Sequence, residues 1–160
     1  MKDIVISMKK NELAYDIEFM TYKVAKVHFA ESHPISAHEL AAAPSDQDFI
    51  DRLLLSGIEN VRNELRWCAV RHRRVACDDK ISGPILSYDI ILRIDDNNHA
   101  DLQVLASLIH DYLVDYAVYR HLLITATSFA PPFAALAEAA LNKIYLHVRE
   151  EKPTQRYYSF

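Results

Sequence analysis

Glycine and cysteine are scarce in this chain, and each shortage removes a class of function. Only two of its 160 residues are glycine, Gly57 and Gly83, so neither a phosphate-cradling Walker loop nor the dinucleotide-binding glycine fingerprint can be placed anywhere in it. The two cysteines, Cys68 and Cys77, stand nine positions apart. That is neither zinc-site nor redox-pair spacing, and two cysteines do not make a disulfide scaffold, so both read as structural thiols. Positive charge is also short: 18 Lys and Arg stand against 22 Asp and Glu, a net charge of −4. Without an overall basic field the chain is not expected to bind nucleic acid generally, or anionic lipid. The opening, MKDIVISMKKNELAYD, carries too short an apolar run for a secretory leader or a membrane anchor, which makes the cytoplasm the expected location. Gly-x-Ser-x-Gly, HExxH, paired Glu-x-x-His and Cys-x-x-Cys are all missing. No catalytic residue, metal site or cofactor is therefore expected.

What is present is apolar: 51% of the residues are hydrophobic, enough for one domain with a sizeable core. The expected organisation is a single helical domain over residues 1–150 and an exposed tail over 151–160. Residues 99–125, HADLQVLASLIHDYLVDYAVYRHLLIT, hold no Gly or Pro and predict the central helix. From Leu102 to Ile124 such a helix runs roughly 34 Å, and its interior charges argue against a membrane span. On a helical projection Gln103, Ser107, His110, Asp111, Asp115 and His121 share one sector with Val104, Val114, Val118 and Leu122. A polar sector studded with valines predicts a covering surface, from this chain or a neighbouring copy. Arg120 projects to the opposite, apolar side and is expected to need a carboxylate or carbonyl partner.

Before this stretch, Leu13, Ile17, Met20, Val24 and Val27 alternate steps of four and three, which predicts a first helix over residues 10–31. The proline-bracketed HPISAHELAAAP, residues 33–44, is a connection. Ser45 and Asp48 suggest a capping box for a second helix with stripe Ile50, Leu54, Ile58, Val61, Leu65 and Cys68, extending to His72. Gly57, inside that helix, implies either close packing of another helix, the preferred reading, or a bend. After Pro84 the phase changes to alternation: Leu86, Tyr88, Ile90, Leu92 and Ile94 face one side, Ser87, Asp89, Arg93 and Asp95 the other. The resulting strand needs a partner from Val75–Lys80, from Ile4–Ser7 or from another subunit. Asn98 is the expected N-cap of the central helix, and TATSFAPP ends it. A last helix from about Pro131 turns Phe133, Leu136, Ala140, Ile144 and Val148 inward. The expected fold is mainly α, a bundle of about four helices with one inserted strand or hairpin.

The chemistry-bearing residues are sparse. His110 and His121 lie three turns apart on one helix face, too far to share an ion, while His33 and His38 could meet in a loop beside Asp46 or Asp48. Asp111 and Asp115 are neighbouring carboxylates on one face, as on any solvated helix. The densest positive run is Arg71, His72, Arg73 and Arg74. It reads as cations offsetting a helix C-terminus or as an inter-subunit or nucleic-acid-facing charge patch, with Arg73 and Arg74 pairing to Asp78, Asp79 or a neighbour. Arg149, Lys152 and Arg156 form a looser patch mixed with Glu150 and Glu151. The candidate interface residues are Arg71, Arg73, Arg74, Tyr88, Val114, Val118, Arg120, Tyr157, Tyr158 and Phe160.

Three stretches taken in order, YDIEFMTYKVAKVHF, SDQDFIDRLLLSGIENVRNELRW, and ADLQVLASLIHDYLVDYAVYRHLL followed by REEKPTQRYYSF, resemble head–tail connector, or neck, proteins of tailed bacteriophages. The likeness is to versions carried in prophage-like elements of Bacteroides relatives. The resemblance implies a structural protein without catalysis, a helical bundle with a protruding strand or hairpin. It would assemble as a homo-oligomeric ring between portal and tail proteins, in the virion once assembled. Two other readings remain open: a small helical binding or regulatory domain of unrelated origin, and a metal-assisted enzyme using His110, Asp111 and nearby carboxylates.

Overall fold

The alternating segment finds its partner inside the chain. In the computed structural model, which describes residues 1–29, 42, 47–70, 86–96, 98 and 100–149, β1 (Lys2–Lys9) pairs antiparallel with β2 (Ser87–Ile94). Of the three partners left open, the stretch containing Ile4–Ser7 is the one used. Ile6 and Met8 from β1 and Tyr88, Ile90, Leu92 and Ile94 from β2 enter the core. The register puts Asp3 opposite Arg93 and Val5 opposite Ile91 on the outer face. Arg93 grips Asp3 with two bonds, Nε to Oδ1 at 2.7 Å and Nη2 to Oδ2 at 3.0 Å, and this pairing holds the Asp3 carboxyl below its ordinary pKa. Leu86, expected inward, is exposed because it lies one residue before the strand begins.

Four helices are seen among the described residues. In α1 (Lys10–Phe29) the buried stripe is Leu13, Ile17, Thr21 and Ala25, a strict step of four. This corrects the sequence reading: Met20 and Val24 are only partly covered and Val27 is 75% exposed. Thr21 can take a core position because its hydroxyl donates to the carbonyl of Ile17 at 2.8 Å and accepts from the amide of Ala42 at 3.1 Å, so no polar atom is stranded. Apart from Ala42, residues 33–44 lie outside the described residues, as does Ser45.

The second helix, α2 (Gln47–Glu64), buries Ile50, Leu54, Ile58 and Val61 as its spacing requires. It does not continue to His72. Leu65 and Cys68 remain buried, but in a turn, after which the backbone joins the free side of β2. The amide of Val70 donates to the carbonyl of Ile91 at 2.8 Å and that of Arg93 to the carbonyl of Cys68 at 2.7 Å. The sheet thus supplies the partners that further helix would have supplied. Burial raises the Cys68 thiol to about 11, an inert group at neutral pH.

The central helix, α3 (Leu102–Thr125), packs against α1, α2, β1 and the last helix, α4 (Ala130–Arg149). Its N-cap is Asp101, not Asn98: the Asp101 carboxylate accepts from the amides of Gln103 at 2.8 Å and Val104 at 3.3 Å. Asn98 is used one step earlier. Its side chain accepts from the amide of Ala100 at 2.8 Å and donates to the carbonyl of Val148 at 3.0 Å, tying the end of α4 to the start of α3. α3 ends at Thr125 and a 3-10 turn, Thr127–Phe129, leads into α4. Ala130, Ala137, Ala140, Ile144 and Val148 of α4 are buried, and the small side chains let the two helices lie close. Leu136, expected inward, is 52% exposed, because Ala137 takes the inward place. Among the described residues no helix is long and apolar enough to cross a membrane.

Candidate functional site

An open groove of about 510 Å³ lies where α1, α3 and α4 meet. Its apolar lining includes Phe19 of α1 and Leu136 of α4, respectively 46% and 52% exposed, with Met20 and Leu108. Its polar residues come mostly from one face of α3. Leu108, Asp111 and Asp115 follow each other at three and four residues, and His110 stands beside them. Asp16 enters from α1, and its Oδ2 lies 2.9 Å from His110 Nε2. Lys143 enters from α4.

Asp111 and Asp115 are like charges one helical turn apart, and no ion pair engages either among the described residues. Burial first, and then the neighbouring Asp111, raise the Asp115 carboxyl to about 6. The groove therefore joins exposed hydrophobic surface to two carboxylates that no ion pair engages among the described residues, a combination suited to docking another polypeptide. Among the described residues no group of three or more His, Cys, Asp or Glu side chains is placed to hold a metal ion. His110 is joined to Asp16 rather than to Asp111.

A second groove, of about 700 Å³, runs between the end of α2 and α4, beside Trp67, which is 53% exposed, and Tyr145. Neither Phe19, Leu136 nor Trp67 was singled out by sequence reasoning as a surface residue. Leu136 fitted an inward helical spacing. Trp67 follows Arg66 and stands four residues before the basic run that starts at Arg71, the one local hint that it faces solvent.

Of the candidate interface residues, Tyr88, Val114 and Val118 are interior. The valine-studded sector of α3 is covered by the chain itself: Val114, Val118, His121 and Leu122 are all buried, while Val104 is exposed. Tyr88 donates its hydroxyl to Asp51 Oδ1 at 2.7 Å, and the other carboxylate oxygen takes Lys10 Nζ at 2.7 Å. This three-way contact joins β2, α2 and the start of α1, and burial followed by the Asp51 bond raises the Tyr88 phenol strongly. Arg120 is not buried. It is exposed, with its guanidinium 6.0 Å from the centre of the Tyr116 ring, a cation–π contact in place of the expected carboxylate or carbonyl. Arg71, Arg73, Arg74, Tyr157, Tyr158 and Phe160 lie outside the described residues, as do Cys77, His33 and His38.

No family model, curated protein or solved structure matches the chain.

Proposed function

We propose that this chain is a phage-derived structural subunit of the head–tail connector, acting through protein–protein contacts and without catalysis. The observation that carries the reading is the groove between α1, α3 and α4, where Phe19 and Leu136 remain exposed beside Asp111 and Asp115, which no ion pair engages among the described residues. Exposed apolar side chains set among charged ones in one groove suit a surface that meets another protein. The sequence resemblance supports the same reading: in order, YDIEFMTYKVAKVHF lies on α1, the second stretch spans α2, and LQVLASLIHDYLVDYAVYRHLL lies on α3, while Ser45, Asp46 and residues 150–160 lie outside the described residues. In such a subunit the bundle provides a rigid block, and partners are further copies together with portal or tail proteins.

Gene neighbourhood and assembly test this directly. Portal, capsid and tail genes are expected beside the gene, and electron microscopy of the protein incubated with its portal should show rings. A gene with no such neighbours, whose product stays monomeric with the neck's other components, overturns the reading. The second reading, a small helical binding or regulatory domain, uses the same groove for a single partner. It predicts a one-to-one complex and no ring.

A further inference from the structure

We propose that the outer edge of β1 pairs with β1 of a second copy of this chain, making a four-stranded antiparallel sheet across a two-fold axis at Ile6. The inference is independent of the connector reading. An isologous strand pair closes at two copies, so a larger ring must use another surface, such as the groove.

The backbone pattern shows which groups are available. The amide of Lys10 donates to the carbonyl of Leu86 at 3.1 Å, closing the β1–β2 ladder. Hydrogen-bonded positions alternate along an antiparallel pair, so the even-numbered residues of β1 turn their amides and carbonyls to β2. Asp3, Val5, Ser7 and Lys9 turn theirs outward. The far side of β2 is occupied at the corresponding positions: Ile91 by Val70, Arg93 by Cys68, and the carbonyl of Asp89 by Arg62 Nη2 at 2.8 Å. Among the described residues nothing bonds the outward backbone groups of β1. Among the described residues the two sides of the sheet are thus unlike, one bonded and one not.

Charge selects both the occupant and the register. With the axis at Ile6, Asp3 stands opposite Lys9 of the second copy, and by symmetry Lys9 stands opposite Asp3. Val5, 57% exposed, meets Ser7, and on the inner face the partly buried Ile4 meets Met8. Every outward amide and carbonyl from Asp3 to Lys9 then has a partner, and each end carries an opposite-charge pair. Lys9 is held at present only by Glu12, at 2.9 Å between two exposed side chains. Such a contact yields readily. Asp3 keeps its bonds to Arg93 and has acceptor capacity left for a lysine. The edge is therefore complementary to itself.

The test uses the full chain. Sedimentation velocity over micromolar to high-micromolar concentrations should show a monomer–dimer equilibrium, weakened by added salt. Ser7→Pro removes an outward amide and leaves the β1–β2 ladder intact. Lys9→Glu sets two carboxylates against each other. Each variant should keep the wild-type circular dichroism and melting profile and raise the dimer dissociation constant at least about tenfold. Oxidising a mixture of Val5→Cys and Ser7→Cys proteins should cross-link one to the other in preference to Val5→Cys with itself, and this arm decides the matter should Ser7→Pro fail to fold. A wild type that stays monomeric throughout overturns the proposal and makes Asp3 and Lys9 guards against pairing. So does a dimer indifferent to Ser7→Pro and Lys9→Glu, or a Val5→Cys protein that cross-links mainly to itself.

Discussion

Asp51 shows how one buried charge can organise three elements. Its carboxylate takes Lys10 and Tyr88 at 2.7 Å each, with only 6% of the side chain and 17% of that of Lys10 open to water. Asp51→Ala would leave an ammonium without its carboxylate and a phenol without its acceptor, and is expected to cost about 3 kcal/mol. Tyr88→Phe keeps the ion pair and should cost about 1 kcal/mol. Urea denaturation of both variants checks the ranking. Asp115 acts in the opposite sense. Its folded-state pKa of about 6 lies above the ordinary 3.8, so the folded chain binds the proton more tightly than the unfolded chain does. The stability it contributes is present below the ordinary value and is lost as pH rises through about 6. Asp115→Asn should therefore match wild type near pH 4 and exceed it by about 1–2 kcal/mol near pH 8, after allowance for solvent screening. The difference between the two melting profiles isolates this carboxyl from the others.

At the scale of elements, α2 and α3 meet at Gly57. A Cβ added there would lie 2.9 Å from Leu113 Cδ2 and 3.2 Å from Tyr116 Cδ1. The helix gains roughly 1 kcal/mol from replacing Gly by Ala, while overpacking costs roughly 1–3 kcal/mol. Leu113 is fully buried and has little room to yield. Gly57→Ala is expected to destabilise by about 1 kcal/mol, measurable by chemical denaturation, and a gain in stability would show that α3 can move away. The entry to α3 offers a cleaner test. Asp101→Ala removes the side-chain acceptor of two amides and should cost about 1 kcal/mol, with Asp101→Ser recovering most of it.

For the whole molecule, the core and the surface can be separated by mutation. Phe19 and Leu136 line the groove without completing the core, so Phe19→Ser with Leu136→Ser should leave the melting temperature within a few degrees of wild type. If the groove is the assembly surface, the same double variant should fail to form rings or partner complexes in electron microscopy and light scattering. A double variant that assembles normally would move the interface elsewhere, with the Trp67 groove next in order.

Much of the architecture follows from spacing alone, because burial on one face of a helix or strand imposes a period that local sequence must obey. The stripe Ile50, Leu54, Ile58, Val61 and the alternation Tyr88, Ile90, Leu92, Ile94 are buried as their periods require. The close helix contact at Gly57 was legible for the same reason, since a helix keeps glycine where something lies against it. Periodicity does not say which atoms satisfy the backbone at the ends of an element. It therefore missed Asp101 as the cap, the early end of α2 beside β2, and Thr21 in place of a hydrophobic residue. Nor does it rank two inward candidates, which is how Leu136 came to be expected inside and Val114 and Val118 at an interface. Those choices depend on long-range neighbours: α4 against α3, β1 beside β2, and α1 across the groove. Local spacing links Asp111 with Asp115 and Asp16 with Phe19, but only the tertiary structure brings these two pairs and Leu136 to one surface, since they belong to three helices far apart in the chain.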